Sequence, residues 1–455
     1  MNVSILSNIK TDSRLRSAVS LACCAVFYAL PASSADLGRL GVADTTPNET
    51  AVGNNISAVC PGAEQGTDFK TRCDNLIRST RTETPITGQQ LTDVLGKVTS
   101  EQTAAQNTQS LEMNNNHMST LSNRISAIRN GRVSGGLQLS GLMFDSNGSV
   151  TQLAKLNRTA NKAAAGDSDF DRLGIFVNGN IGFGDRRLTN NEAGYNQDTH
   201  GATAGIDYRF TDHFLLGTAF SYNNARTGYV NDLGKMDTDS FSGAIYGSFF
   251  TDNGFFVDGI FSGSHADYAS SRHIQYQVPE VINTFATGKN QGDEFNVAMT
   301  SGFNFNMGGL TLTPQVRVDY TSTHVDALNE QGGAGWALHV DQQSFESLQT
   351  AAGLQLAYAV NLPWAVIIPT ARAEYIHEFQ NDSRNIRAFY LGDPSQTRFN
   401  ILTDTPDRDF IVASAGLSAQ FAHGISAFVN YDTVQAHSYI NNHNFSGGVR
   451  MELSF

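Results

Sequence analysis

Three pairs of opposite charge stand two residues apart in the C-terminal half of the chain: Arg317 with Asp319, Arg372 with Glu374, and Arg450 with Glu452. Alternate residues of a strand share a face, so each pair sets a guanidinium beside a carboxylate on one polar side. That arrangement can line and hydrate a pore and hold a polar segment threaded through it. The simpler reading is lumen solvation with cross-strand ion pairs. On the lipid side of a barrel an arginine at mid-depth costs ~2–4 kcal/mol, so these residues belong to the lumen. Catalytic patterns are poor. No G-x-S-x-G elbow occurs. His377-Glu378 begins H-E-x-x-H, but Asn381 takes the last place. Asp404, Asp407 and Asp409 share a loop that suits weak Ca²⁺ binding, with a solvated acidic loop as the simpler reading. The histidines lack ligand spacing. The sequence therefore reads as a non-enzyme with no cofactor and no resident metal.

Charges on one face need strands to carry them. From Phe445 to Phe455 the chain reads FSGGVRMELSF, with Phe445, Val449, Met451, Leu453 and Phe455 on one face and Ser446, Arg450 and Glu452 on the other. An apolar outside, a charged inside and a final aromatic residue suggest the closing strand of an outer-membrane barrel. The same alternation recurs from Leu173 onward. Ile175, Val177, Ile181 and Phe183 oppose Asn178 and Asn180, and Leu312, Val316, Val318 and Tyr320 oppose Thr313, Gln315, Arg317 and Asp319. Twelve such runs lie near 173–184, 197–210, 213–226, 237–251, 254–270, 291–307, 309–326, 339–360, 364–380, 407–421, 424–437 and 442–455. Tight turns such as Thr211-Asp212 and Asn361-Leu362-Pro363 alternate with longer connections at 185–196, 227–236, 271–290, 327–338, 381–406 and 438–441. Short turns on one side and long loops on the other fit an outer-membrane barrel of twelve antiparallel strands with both ends in the periplasm. A soluble sandwich also alternates, but rarely sorts its connections by length.

Composition agrees. The mean hydropathy of -0.26 is low because a barrel hides its apolar band in alternate residues. The net charge of -13 argues against a nucleic-acid partner. No run approaches the ~20 apolar residues of a membrane-spanning helix. The longest apolar stretch, Ala18 to Leu30, follows Lys10, Arg14 and Arg16 and precedes Ser33 and Ala35. That is a secretory signal peptide over 1–35. Export leaves Cys60 and Cys73, which read as a disulfide in an oxidising compartment, two free thiols being the competing reading.

Residues 36–170 are of another kind. The polar stretch 36–86 precedes a helical pattern from about Thr87, with Leu91, Val94, Leu95 and Val98, and later Met118, Leu121, Ile125 and Ile128, on one face. Asn130-Gly131 is a stop signal, and 149–165 is a further helix candidate.

Over 364–455, and more loosely back to Leu173, the chain resembles the classical monomeric autotransporters of type V secretion. The resemblance rests on AEYIHEFQND, then RDFIVASAGLSAQFAHGISAFVNYDT, then SGGVRMELSF. It implies a barrel over 171–455 with a helix in its lumen that links an exported passenger to the first strand. Residues 121–129, with Arg124 and Arg129, look like that helix within a linker at 111–170, and 149–165 is the rival segment. The passenger is then short, 36–110. Met451, Leu453 and Phe455 resemble the C-terminal signal read by the barrel-assembly machinery. The implied partners are that machinery, periplasmic chaperones and the outer-membrane bilayer, with a monomeric chain and a host or cell-surface ligand for the passenger and long loops. The expected function is a translocator that exports or displays its own N-terminal segment, with adhesion as an added role. The competing expectation is an outer-membrane channel or scaffold with a periplasmic N-terminal domain.

Overall fold

A computed structural model describes residues 45–82, 85–130, 142–144, 150–152, 172–380, 382–421 and 425–453. The signal peptide at 1–35, most of the rival helix at 149–165, and Phe455 lie outside them. Twelve long strands form the barrel: β1 Leu173–Arg186, β2 Tyr195–Thr211, β3 Phe214–Tyr229, β4 Gly234–Phe250, β5 Phe255–Tyr276, β6 Ile282–Phe303, β7 Leu310–Val325, β8 Gln343–Tyr358, β9 Ala365–Glu378, β10 Asp409–Phe421, β11 Ile425–Gln435 and β12 Ile440–Leu453. Each pairs antiparallel with the next. The ring closes where β12 pairs β1, from Ile440 opposite Arg186 to Leu453 opposite Leu173. Closure leaves no open edge, the condition for strands to cross hydrocarbon.

The expected alternation decides which way each side chain points. Val177, Ile181, Phe220, Ile245 and Val449 are exposed on the outside, whereas Asn178, Thr203, Ser221, Asn296 and Thr321 are buried inside. Among the described residues no helix is long and apolar enough to cross a membrane, a statement that does not bear on strands.

At one end the connections are brief. At the other the strands outrun the expected band. The stretch 271–290, read from sequence as a loop, is mostly strand: β5 runs to Tyr276 and β6 starts at Ile282. The reason is a change of phase. Within the band the inward residues of β5 and β6 are largely polar, such as Ser262 and Asn296; beyond it the inward ones, Ile274, Tyr276, Ile282 and Ala286, are apolar and buried.

What they pack against is the N-terminal segment. Three helices, α1 Pro47–Val59, α2 Asp68–Ser79 and α3 Gly88–Val98, sit at this long-loop end. The sequence reading left 36–86 without helices. Thr46 with Glu49 and Thr87 with Gln90 form capping boxes that start α1 and α3, and Thr67 caps α2. A disulfide between Cys60 and Cys73 ties the end of α1 to α2. Facing the helices is a four-stranded sheet built from two loops, Leu328–Asn329, Leu338–Val340, Asn385–Tyr390 and Phe399–Leu402. Val52, Ile56, Phe69, Leu76, Leu91 and Leu95 share one core with Trp336, Leu338, Tyr390 and Ile401.

Phe69 is the hub. Its ring stacks on Tyr390 at 5.3 Å and meets Trp336 edge-on at 5.9 Å. Two loop glycines let it approach: a Cβ on Gly335, whose φ is +98°, would fall 2.5 Å from the Phe69 nitrogen, and one on Gly392 would fall 2.3 Å from its Cβ. Asn48 closes the edge of the loop sheet. Its side chain donates to the Leu402 carbonyl at 3.0 Å and accepts from the Leu402 amide at 2.7 Å, as a neighbouring strand would. Arg272 of β5 binds Glu330 through two nitrogens, at 2.6 and 3.0 Å, donates to the Trp336 carbonyl at 2.7 Å and reaches the C-terminal carbonyls of α3. Phe69→Ala should detach this cap at a cost of ~3–5 kcal/mol while leaving the barrel closed. Limited proteolysis and the heat-modifiable mobility of the folded barrel measure the two separately.

Candidate functional site: the lumen and its helix

Helix α4, Ala105–Asn130, carries 26 residues, which at 1.5 Å per residue span ~39 Å and so exceed the ~30 Å hydrocarbon core. It lies in the lumen and descends from the long-loop end. Gln106 donates to Asn290 at 2.9 Å near the top. Gln109 joins Thr227 and Thr238, Ser110 meets the Tyr268 hydroxyl, and His117 shares a hydrogen bond with Ser221 at 2.8 Å. Lower down Ser119 donates to Asp432 at 3.3 Å, and Ser126 accepts from Gln355 at 3.4 Å. The weak amphipathicity of this helix follows from its surroundings: a polar wall asks for Gln, Ser and Thr. The later turns add an apolar face. There Met118, Leu121 and Ile125 pack among Phe176, Leu215, Tyr246 and Phe256 at the short-turn end.

Arg124 anchors that end. It is buried, pairs with the buried Asp207 of β2, and lies 4.4 Å above the Phe176 ring. Asp207 also accepts from Arg450 of β12 at 3.2 Å and from the Tyr246 hydroxyl at 3.4 Å. One carboxylate thus links the helix to strands on both sides of the closing seam. The backbone of Arg129 is in α4; its side chain, like those of Glu452 and Leu453, lies outside the described side chains. Met451 faces outward.

The charge pairs form a network wider than their spacing suggested. Arg317 holds Asp319 at 2.6 Å and also Glu374 at 3.2 Å. Arg372 stands 4.0 Å from Glu374 and is nearer Asp432 of β11, at 3.3 Å. Arg450 turns to Asp207 across the seam, a partner that reading two residues along the strand could not supply. Asp404 and Asp407 are engaged by protein donors, Arg186 at 2.6 Å and His437 at 3.1 Å respectively, and Asp409 accepts from His377 at 2.7 Å. Among the described residues no group of three or more acidic, His or Cys side chains is placed to hold a metal. The helix hugs β3 to β7. On the other side it leaves a cavity of about 620 Å³, with Arg317 and Glu374 deep in it and Asp404 and Asp407 near its mouth.

Where the cap meets the rim, Glu101 is half-buried beside Glu49, Glu192 and Asp404, and Asn48 donates to it at 3.4 Å. Burial pushes its carboxyl up from 4.5 to about 8, and the neighbouring carboxylates add to the rise. Glu49 and Glu192 are raised as well, mainly by burial.

The profile of the family described as Autotransporter beta-domain matches residues 175–432. In sequence the chain is similar to outer membrane protein A of Rickettsia conorii, 23% identical over 305 residues that make up 64% of this chain and 14% of that protein. It is similar to outer membrane protein B of Rickettsia prowazekii, 21% identical over 75% of this chain and 20% of that protein. It also resembles an extracellular serine protease of Serratia marcescens, 22% identical over 62% of this chain and 26% of that protein. The chain therefore spans only a minor part of the length of these relatives. Among solved structures it is similar to the translocator domain of the autotransporter NalP from Neisseria meningitidis, at 17% identity and a TM-score of 0.49, covering 63% of this chain and 90% of that one.

Asp207→Ala would leave the buried Arg124 guanidinium without its carboxylate and should destabilise the helix-filled barrel by ~3–5 kcal/mol. A lowered midpoint in denaturant for the heat-modifiable form checks it. Cap docking should depend on pH through Glu101. A carboxyl whose folded-state value is raised adds no penalty below its unfolded value of 4.5; docking weakens as pH climbs through about 8. Amide exchange of α1 and α3 should therefore be faster at pH 9 than at pH 6 after correction for intrinsic rates, and Glu101→Gln should shrink the difference, with Glu49 and Glu192 carrying the remainder.

Proposed function

The chain belongs to the autotransporter β-domain family, an outer-membrane barrel of Gram-negative bacteria, and from that membership we propose that it carries its own N-terminal segment across the bilayer and keeps it there as a docked cap. The observation that carries the reading is the course of α4. It starts beneath the cap, runs down the lumen and ends near the end where β1 begins and β12 stops. A chain whose barrel ends both face the periplasm must have passed its cap outward to reach this arrangement. The route implies a signal peptide over 1–35, a passenger over 36–110, a linker and lumen helix within 111–170 and a barrel over 171–455, although α4 begins slightly earlier, at Ala105. No bond is made or broken in this task, so the protein works as a translocator and not as an enzyme. The cap and the loop sheet then display a surface to a host or a neighbouring cell, an adhesive role.

The outward row of β12 that includes Met451, continued in sequence by Leu453 and Phe455, suits pairing with the barrel-assembly machinery during insertion, after delivery by periplasmic chaperones. The seam is closed within one chain, which suits a monomer. A wide diffusion channel fits less well, because the helix occupies the lumen.

An epitope placed after Gln65, in the exposed turn between α1 and α2, tests the export step without entering the cap core. Antibody should label intact cells that exclude it from a periplasmic control protein. Labelling only after the outer membrane is opened would overturn the proposal in favour of a periplasmic N-terminal domain.

A further inference from the structure

The lumen cavity described above has walls, a floor and a mouth. Its floor is the network of Arg317, Glu374, Arg372 and Asp432. Its apolar walls include Leu111 of α4, Phe345 of β8, Ile376 of β9 and Phe410 of β10. Its mouth opens at the long-loop end between Asp382 and the exposed Thr405 and Pro406. A volume of about 620 Å³ lies in the range of small-molecule sites.

The charges around it are unevenly spent. Asp404 accepts from Arg186, Thr189 and Asn191. Glu378 accepts from Ser347, Gln349 and the amides of Leu348 and Gln380. Asp407 is held by His437 and the Ser438 amide. Arg384 stands apart. Its backbone amide bonds Thr403, and the Glu192 carboxylate acts on it through space, but among the described residues its guanidinium has no close ion pair and no hydrogen-bond acceptor. The guanidinium carbon sits 5.0 Å above the Phe345 ring, which holds it at the cavity wall. Arg186, which is 6% exposed, keeps its Nε without a hydrogen-bond partner on the same wall. Burial pulls the Arg384 pKa below its usual value; Glu192 offsets part of that and Arg186 adds to it, and an incoming anion would relieve what remains.

We propose that this cavity is a binding site for a small organic carboxylate with an apolar body, whose carboxylate pairs with Arg384 and whose body lies against Phe345, Phe410 and Leu111. A planar guanidinium offers two parallel donors to a carboxylate, and its ring partner leaves that edge open. The apolar walls exclude a bare inorganic anion as the best occupant, because they would gain nothing from it. Glu112 on the helix, Glu192, Glu346 and Asp382 at the mouth are among the opposing charges, and they disfavour ligands with more than one negative charge.

Phenylpropionate and its neutral amide are the probes, both soluble without forming micelles. Saturable binding to the full folded chain in neutral detergent, followed by calorimetry, should favour the acid. Arg384→Gln should weaken the acid at least ~10-fold and leave the amide unchanged, as expected for loss of a charge-assisted pair. Leu111→Trp, which fills the cavity from the helix with Arg384 intact, should abolish both. Heat-modifiable mobility identifies folded variants. Equal binding of acid and amide, acid binding indifferent to Arg384→Gln in a folded barrel, or no saturable binding would overturn the proposal. It stands whether or not the N-terminal segment is exported.

Discussion

Everything in this molecule follows from one demand of the bilayer: no backbone N–H or C=O may face hydrocarbon unpaired. Closing β12 on β1 meets it for every strand at once. Closure then separates two solvents. Outward residues meet lipid and are apolar. Inward residues are shut off from lipid and must be satisfied by water, by each other or by a guest. The polar lumen is thus a by-product of the ladder, and it dictates the chemistry of what can fill it. A leucine-rich helix would take away the hydrogen bonds that Gln109 makes to Thr227 and Thr238, His117 to Ser221 and Gln106 to Asn290. At the short-turn end, where Phe176, Tyr246 and Phe256 face inward, α4 presents an apolar face to them.

Beyond the bilayer the same strands change their use. With water outside, the outward face no longer needs apolar residues, and the inward face can build a core if something arrives to complete it. Ile274, Tyr276, Ile282 and Ala286 do so with the cap helices. Arg272 marks the transition: it lies on a barrel strand, yet its partners are a loop carboxylate, a loop carbonyl and the end of α3.

This inversion explains how much could be read from the sequence. The twelve strands and the closing strand were legible because their period-two pattern has one meaning in lipid. The extensions of β5 and β6 were not, since a reader following the apolar face finds it fading near Ser270 and concludes that the strand has ended. The loop strands are two to six residues long and carry no pattern apart from their partners. Helices α1 and α2 were missed in a segment low in aromatic residues, although Thr46-x-x-Glu49 is a readable start signal. In the lumen the charged residues were visible and their partners were not. Arg450 and Arg124 converge on Asp207 from opposite ends of the sequence, and strand spacing holds no trace of that. Arg384 has no sequence signal at all, because what distinguishes it is an absent acceptor.

The shared core around Phe69 has a consequence in time. The helices of the cap are made first and their counterparts, Trp336, Tyr390 and Ile401, last. Contacts at such separation in the chain cannot form until the intervening loop closes. Until then α1 to α3 can bury their apolar faces only on one another, and short helices of this kind are marginal in water alone. The segment therefore stays pliable for as long as the barrel is unfinished and sets into shape only beside the completed loops. Its own primary structure acts as a clock, delaying its folding until its place is ready.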